Sequence, residues 1–176
     1  MTLDLETAAI KHITIHTLKD GGKVDMDIRI LKKSPVLVDM INNTGIDLKD
    51  PDCLKDGLDC PQGTQEALEK INEWVIANHD KPGPSYYSPN DKRVLLTNED
   101  NEFMNMKNAL LVVVLNVANY YDIDDLIEIC TQKIANMIKE RTPQQLRSLF
   151  MLPDDLSADE KADIRQKHAW ATNGRY

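Results

Sequence analysis

An α/β fold of α+β character, rich in helix, is what this sequence predicts, and three observations predict it. Two short segments near the start alternate apolar and polar residues about a glycine turn, the pattern of a hairpin with one buried face. Further along, apolar residues recur every three or four positions, over stretches long enough for helices and too long for ordinary strands. Ser or Thr in capping positions then marks several helix starts. With 176 residues, 41% of them hydrophobic, the chain has room for one ordinary domain plus an appendage.

The hairpin comprises Ile13 to Leu18, a turn at Asp20-Gly21-Gly22, and Val24 to Ile28. His12 and His16 fall on the face opposite Ile13 and Ile15, which points them to solvent. Ser34-Pro35 starts a short helix, Ser as N-cap and Pro in the first position, with Val36, Leu37, Met40 and Ile41 at helical spacing and an end near Asn42. Asn43 to Gly63 is turn-rich, with seven charged side chains between Asp47 and Asp59; it reads as loop with one short strand near Leu58. Thr64 caps a helix whose stripe of Ala67, Leu68, Ile71, Trp74 and Val75 makes Trp74 a core residue. Three prolines from Pro82 to Pro89 exclude helix and central strand, so residues 80–98 read as a Pro-rich surface loop. From Asn101 to Tyr121 the length and the spacing of Leu110, Leu111, Val114, Val117 and Tyr121 favour one helix, despite the strand propensity of Val112 to Val114.

The clearest start signals lie in the last third. Asp122 is the expected N-cap of a helix carrying Ile123, Leu126, Ile127, Cys130, Ile134, Met137 and Ile138 in one stripe. Thr142-Pro143-Gln144-Gln145 and Ser157-Ala158-Asp159-Glu160 are capping boxes, and the helix after Ser157 keeps its acids early and its bases late. That last helix has too few apolar residues to fasten itself to a core. A helix well capped and poorly anchored suits the holding of another protein, with Leu152, Leu156, Ile164 and Trp170 buried by a partner; folding back onto the chain's own helices is the alternative.

Composition excludes several classes of function. A net charge of −8 with no Lys/Arg cluster argues against a nucleic-acid partner, and 5% aromatic residues against base stacking. Cys53, Cys60 and Cys130 form no disulfide framework, and with His12, His16, His79 and His168 scattered there is no zinc spacing, so no metal is expected. No phosphate-cradling glycine loop, GxSxG or HExxH occurs, and Asp124-Asp125 and Asp154-Asp155 are explained by helix starts. No catalytic residue and no cofactor is therefore expected. The apolar run Ala109 to Leu115 is far short of the ~18 residues of a membrane span and the first residues do not read as a signal peptide, which makes a cytoplasmic or nuclear location, with no membrane contact, the expectation.

Particular residues also carry a resemblance. Glu102-Phe103, Val117-Ala118-Asn119-Tyr120-Tyr121-Asp122-Ile123, Ile134-Ala135-Asn136-Met137-Ile138-Lys139, Thr142-Pro143-Gln144-Gln145-Leu146-Arg147 and Phe150 resemble the S-phase kinase-associated protein one family, the F-box adaptors of SCF-type cullin ubiquitin ligases. The similarity runs without gaps from Glu102 to Trp170, and the hairpin, the Ser34-Pro35 helix, the Trp74 helix and the Pro-rich loop extend it back to Ile13.

The resemblance implies a BTB/POZ-type fold over residues 13–139, after a flexible N-terminus 1–12, with two additional C-terminal helices in 140–176. It implies a non-catalytic adaptor whose partners are a cullin scaffold and F-box proteins, the latter bringing substrates for ubiquitin-dependent degradation. Carried over by position, the cullin-binding residues are Asn119, Tyr120 and, on a weaker match, Leu37. The F-box side falls on Ile134, Met137, Ile138, Leu146, Leu149, Phe150, Leu152, Ile164 and Trp170. The related short adaptor Elongin C is a poorer match, because that family stops before the helices at Thr142 and Ser157.

The chain departs from the family pattern in four places. Tyr121 stands where the family has Leu, Asp125 where it has Gly, Asp154-Asp155-Leu156-Ser157 where it has Asn-Asp-Phe-Thr, and Lys167-His168 where it has Glu-Asn before the last Trp. These changes suggest a diverged paralogue with its own set of F-box partners, and they leave open a BTB-like structural protein, assembling with itself as a homodimer or with other partners.

Overall fold

The computed structural model describes residues 5, 8–88, 91–139 and 141–172, with the side chains of 92 and 171–172 outside that description. The chain divides into two compact units, Met1–Lys139 and Glu140–Tyr176. Both are mixed or helical in content, and together they make a helix-rich α/β protein.

In the first unit, β1 (His12–Thr17) and β2 (Lys23–Asp27) pair antiparallel, Ile13 opposite Met26 and Ile15 opposite Val24, so the alternation in sequence becomes one buried face. A short strand β3 (Leu58–Cys60) adds to the other edge of β1 in parallel, giving the sheet order β2-β1-β3. The loop before β3 returns through Gly57, whose φ of +69° and approach to the Thr14 carbonyl oxygen, 2.7 Å from where a Cβ would stand, admit only glycine. A 3-10 turn, Ile28–Lys32, leads from β2 to α1 (Pro35–Thr44), which ends on Gly45 in the left-handed conformation, two residues beyond the end expected.

Helix α2 (Gln65–Asn78) is capped by Thr64 and buries Ala67, Leu68, Ile71, Trp74 and Val75 against β2 on one side and, later in the chain, α4 on the other. This stripe is the centre of the core, each large side chain contributing about 1.5–3 kcal/mol by its removal from water. The N-terminal segment joins it: Ala8 and Ile10 are buried, with the N–H groups of Ala9 and Ile10 both donating to the Leu48 carbonyl. The expectation of a flexible N-terminus is thereby corrected for residues 8–12, while 1–4, 6 and 7 lie outside the described residues.

Three further expectations are corrected. Residues 80–98 are not all loop, since β4 (Tyr86–Ser88) and β5 (Asp91–Val94) form an antiparallel pair; Pro82 and Pro84 lie before β4, where no ladder N–H is needed. The stretch 101–121 is two helices, α3 (Asn98–Phe103) and α4 (Asn108–Tyr120). Thr97 and Asp100 make a capping box that fixes α3, and the chain leaves helical hydrogen bonding at Met104, whose burial turns it inward. Asp122 is not the N-cap of α5 (Asp124–Ile138). It adopts φ +54° at the corner, Ile123 takes the cap position without a side-chain bond, and Asp124 and Asp125 supply the negative charge of the first turn.

The second unit contains α6 (Pro143–Phe150), α7 (Ala158–Lys167) and a short α8 (Ala169–Thr172). The capping boxes of Thr142 with Gln145 and of Ser157 with Glu160 are both complete. Helix α6 closes on Met151 at φ +52°, with the Leu152 N–H reaching back to the Arg147 carbonyl. The helix expected to run to Trp170 breaks at His168.

Candidate partner-binding surfaces

The first candidate surface is the corner where α4 ends. Three main-chain bonds turn the chain there: Tyr121 N–H to the Val117 carbonyl, Asp122 N–H to that of Asn119, and Ile123 N–H to that of Ala118. Asn119 is left exposed and Tyr120 half-buried, its ring edge-on to that of Tyr121 at 5.0 Å. Tyr121 is fully buried, and burial pushes its phenol well above the usual range, with Cys60 beside it as the next influence. The hydroxyl finds no partner with hydrogen-bond geometry, although the Cys60 sulfur is near enough to act on its ionisation.

Helix α1 is tied into this corner through its own cap. Ser34 Oγ accepts the Leu37 N–H and donates to the Tyr121 carbonyl, so one hydroxyl serves two elements. Lys33 pairs with Asp125 at 2.6 Å, both side chains largely covered, and donates also to the Lys81 carbonyl at 2.9 Å. Asp125, where glycine was expected, thus holds the segment before β4 and the start of α1 against α5. Leu37 does not belong to an exposed surface: its side chain is fully buried at the position where α1 faces the core, and the expectation of a direct contact there is corrected.

The second set of candidates begins on α5. Its first half buries Leu126, Ile129 and Cys130, burial pushing the Cys130 thiol up to about 12. Its second half emerges from that core: Ile134 and Met137 are packed against it in part, and Ile138 is 40% exposed. The other six candidates lie in the second unit, where no described residue is fully buried. Leu146, Leu149 and Phe150 share one face of α6 and are half-buried, whereas Leu152, Ile164 and Trp170 are exposed, Trp170 at 77%. Among the described residues the most exposed large apolar side chain is that of Met151, at 87%, which no periodicity marks because its position depends on the left-handed end of α6.

Polar contacts tie parts of this unit together. Asp154 accepts from Lys161 at 2.8 Å and lies 3.6 Å from the Arg147 guanidinium, and the Lys161 ammonium holds its carboxyl below the ordinary 3.8. Glu160 is likewise lowered by the Ser157 hydroxyl and N–H of its capping box. The arrangement contains capped helices and exposed apolar side chains. Among the described residues no group of three or more His, Cys, Asp or Glu is placed to hold a metal, and no helix is long and apolar enough to cross a membrane.

Residues 124–171, from the start of α5 through the whole described part of the second unit, match the family described as Skp1 family, dimerisation domain. The chain is also 29% identical over 152 residues to the S-phase kinase-associated protein 1 homolog of Tetrahymena thermophila, covering 84% of this chain and 87% of that one. The chain is similar to Skp1 family members over most of its length. Two further relatives span the family's range. The E3 ubiquitin ligase complex SCF subunit sconC of Arthroderma otae is 27% identical over 172 residues, 95% of this chain and 98% of its own. SKP1-like protein 11 of Arabidopsis thaliana is 27% identical over 153 residues, 86% and 91% of the two chains. The similarity to Skp1 family members therefore includes the sheet, the α4 corner and the exposed second unit alike.

Proposed function

We propose that this protein is a non-catalytic adaptor subunit of an SCF-type cullin ubiquitin ligase, linking an F-box substrate receptor to the cullin scaffold and so directing bound proteins to ubiquitin-dependent degradation. The observation that carries the reading is the second unit: it overlaps the family match, α6 and α7 carry complete capping boxes, and it leaves Met151, Leu152, Ile164 and Trp170 in water. Each such side chain buried by a partner contributes about 1.5–3 kcal/mol to association before ordering costs.

In this reading residues 13–139 are a BTB/POZ-type domain and 140–176 are F-box-binding helices. Ile134, Met137 and Ile138 at the end of α5, with Leu146, Leu149, Phe150, Leu152, Ile164 and Trp170, meet the F-box. Asn119 and Tyr120 meet the cullin, with Ser34 and the Lys33–Asp125 pair positioning that corner. The adaptor works by holding substrate near the ubiquitin-transfer machinery, which raises effective concentration and needs no chemistry of its own. Its place of action is the cytoplasm and nucleus.

Co-purification with a panel of F-box proteins tests the first half: Phe150→Ala and Trp170→Ala should each weaken capture by about tenfold or more, and undiminished capture by both variants overturns it. Asn119→Lys with Tyr120→Lys should abolish cullin binding while leaving F-box binding intact; unchanged cullin affinity removes that face from the proposal. A second reading, self-assembly outside the ligase, draws on the matched family's description as a dimerisation domain. Sedimentation across a concentration series separates the two, because a homodimer that persists after F-box protein is added supports self-assembly.

A further inference from the structure

A groove of about 950 Å³ within the first unit has no part in the adaptor role described above. It lies between the β4–β5 hairpin and α5, lined by Tyr86 and Tyr87 of β4, Val94 of β5, and Ile127, Glu128 and Gln132 of α5. Two hydrogen bonds hold its sides in register. The Tyr86 hydroxyl donates to Glu128 at 2.6 Å, and the Val94 N–H donates to the Gln132 side-chain oxygen at 3.0 Å. Gln132 in turn donates to Asn136 at 2.9 Å, which fixes its amide.

The chemistry of the lining selects for positive charge. Tyr86 and Tyr87 are 42% and 61% exposed, and the face of a tyrosine ring attracts a cation. The Arg93 guanidinium already stands 5.2 Å from the centre of the Tyr87 ring, an instance of that attraction within the chain. Glu128 is the charged residue of the lining, and Asp125 and Asp124, one turn earlier on α5, act with it on the Tyr86 hydroxyl. No Lys or Arg is among the described lining residues. Ile127, partly exposed, supplies apolar surface of the kind that the methylene stem of a long basic side chain covers while its head stays polar.

We propose that this groove docks a short basic peptide segment of a partner protein, with one arginine or lysine side chain lying against the Tyr86 and Tyr87 rings and pairing with the Glu128 carboxylate. The stem packs on Ile127, and the charge-assisted bond to Glu128 fixes the head. The inference stands apart from the ubiquitin-ligase reading, since it needs neither the α4 corner nor the second unit.

The test uses the whole chain and a fluorescein-labelled octapeptide of alternating leucine and arginine, followed by fluorescence anisotropy, with the leucine–glutamate counterpart as control. The arginine peptide should bind saturably and the glutamate peptide should not. Glu128→Gln and Tyr87→Ala should each weaken binding by about tenfold. Tyr86→Phe, which keeps the ring and frees the Glu128 carboxylate, should leave affinity equal or tighter. Asp50→Asn with Asp56→Asn removes more charge from the loop before β3, outside the groove, and should change affinity less than twofold. Absence of binding, insensitivity to both Glu128→Gln and Tyr87→Ala, or a loss in the loop double variant as large as that in Glu128→Gln would overturn the proposal, the last by showing that net charge alone attracts the peptide.

Discussion

At position 121 a phenol enters the core and brings a hydroxyl that nothing accepts. A buried polar group without a partner costs roughly 1–3 kcal/mol, offset here by the area of the ring. Removing the hydroxyl alone should therefore raise stability: Tyr121→Phe is expected to gain about 1 kcal/mol in denaturant unfolding. Tyr121→Leu, which restores the residue usual in the family, is expected to lose about 2 kcal/mol, because the space shaped around the ring is left unfilled. A stability loss in Tyr121→Phe would mean that the hydroxyl is satisfied after all, by Cys60 or by water. Asp125 makes the same point from the polar side. The sequence marks it as a departure from glycine, and the structure shows what the carboxylate does there, since it anchors Lys33.

At the scale of elements, four helix starts made by a side-chain cap were legible, whereas the Thr97–Asp100 box that starts α3 falls at the end of the stretch whose prolines read as loop. Ser34, Thr64, Thr142 and Ser157 all accept the N–H three residues on, as their spacing predicts. What failed were features set by tertiary packing. Asp122 has a capping side chain yet takes the corner conformation, leaving the cap to Ile123, because Ile123 and Tyr121 are both drawn into the core. The break at Met104 carries no Gly or Pro, and β4–β5 forms in a proline-rich stretch through main-chain pairing and the contacts of Tyr86 and Val94 with α5. In the second unit the polar contacts give a pH dependence of known sign. Asp154 and Glu160 have folded pKa values below their ordinary ones, so they contribute stability that is present above the unfolded values and lost as pH falls through the folded ones. Amide NMR signals of residues 142–167 should accordingly shift toward coil below about pH 4, modestly because the pairs are exposed. In the Asp154→Asn, Glu160→Gln variant that acid transition should flatten, and an unaltered profile would assign it to other groups.

Over the whole molecule, full apolar burial is concentrated in one unit, while among the described residues of the other no side chain is more than partly buried. Hydrogen exchange should reproduce that division: amides of α2, α4 and the first half of α5 should be protected longest, and those of α6 and α7 should exchange at least about a hundredfold faster, close to the rate of local fraying. Addition of an F-box protein should slow the second group and leave the first unchanged. Equal protection in the free chain would contradict the exposure of the second unit. Two scales of sequence signal explain what was legible here. Periodicity marks the core stripe of α2 and the thinness of α7, so the presence of an unfinished surface could be read from sequence. Neither periodicity nor capping reports a groove such as that between β4–β5 and α5, because its walls are distant in sequence, Tyr86 lying 42 residues from Glu128 and Val94 lying 38 from Gln132.

The side chains left in water by the second unit also bear on the lifetime of the protein in a cell. Met151, Leu152 and Trp170 in solvent present the kind of apolar surface that chaperones and quality-control proteases select. A newly made copy on its own is open to that triage, and if a partner covers these side chains as proposed, a copy in complex is shielded from it. On that proposal the abundance of the protein should follow the supply of its partner.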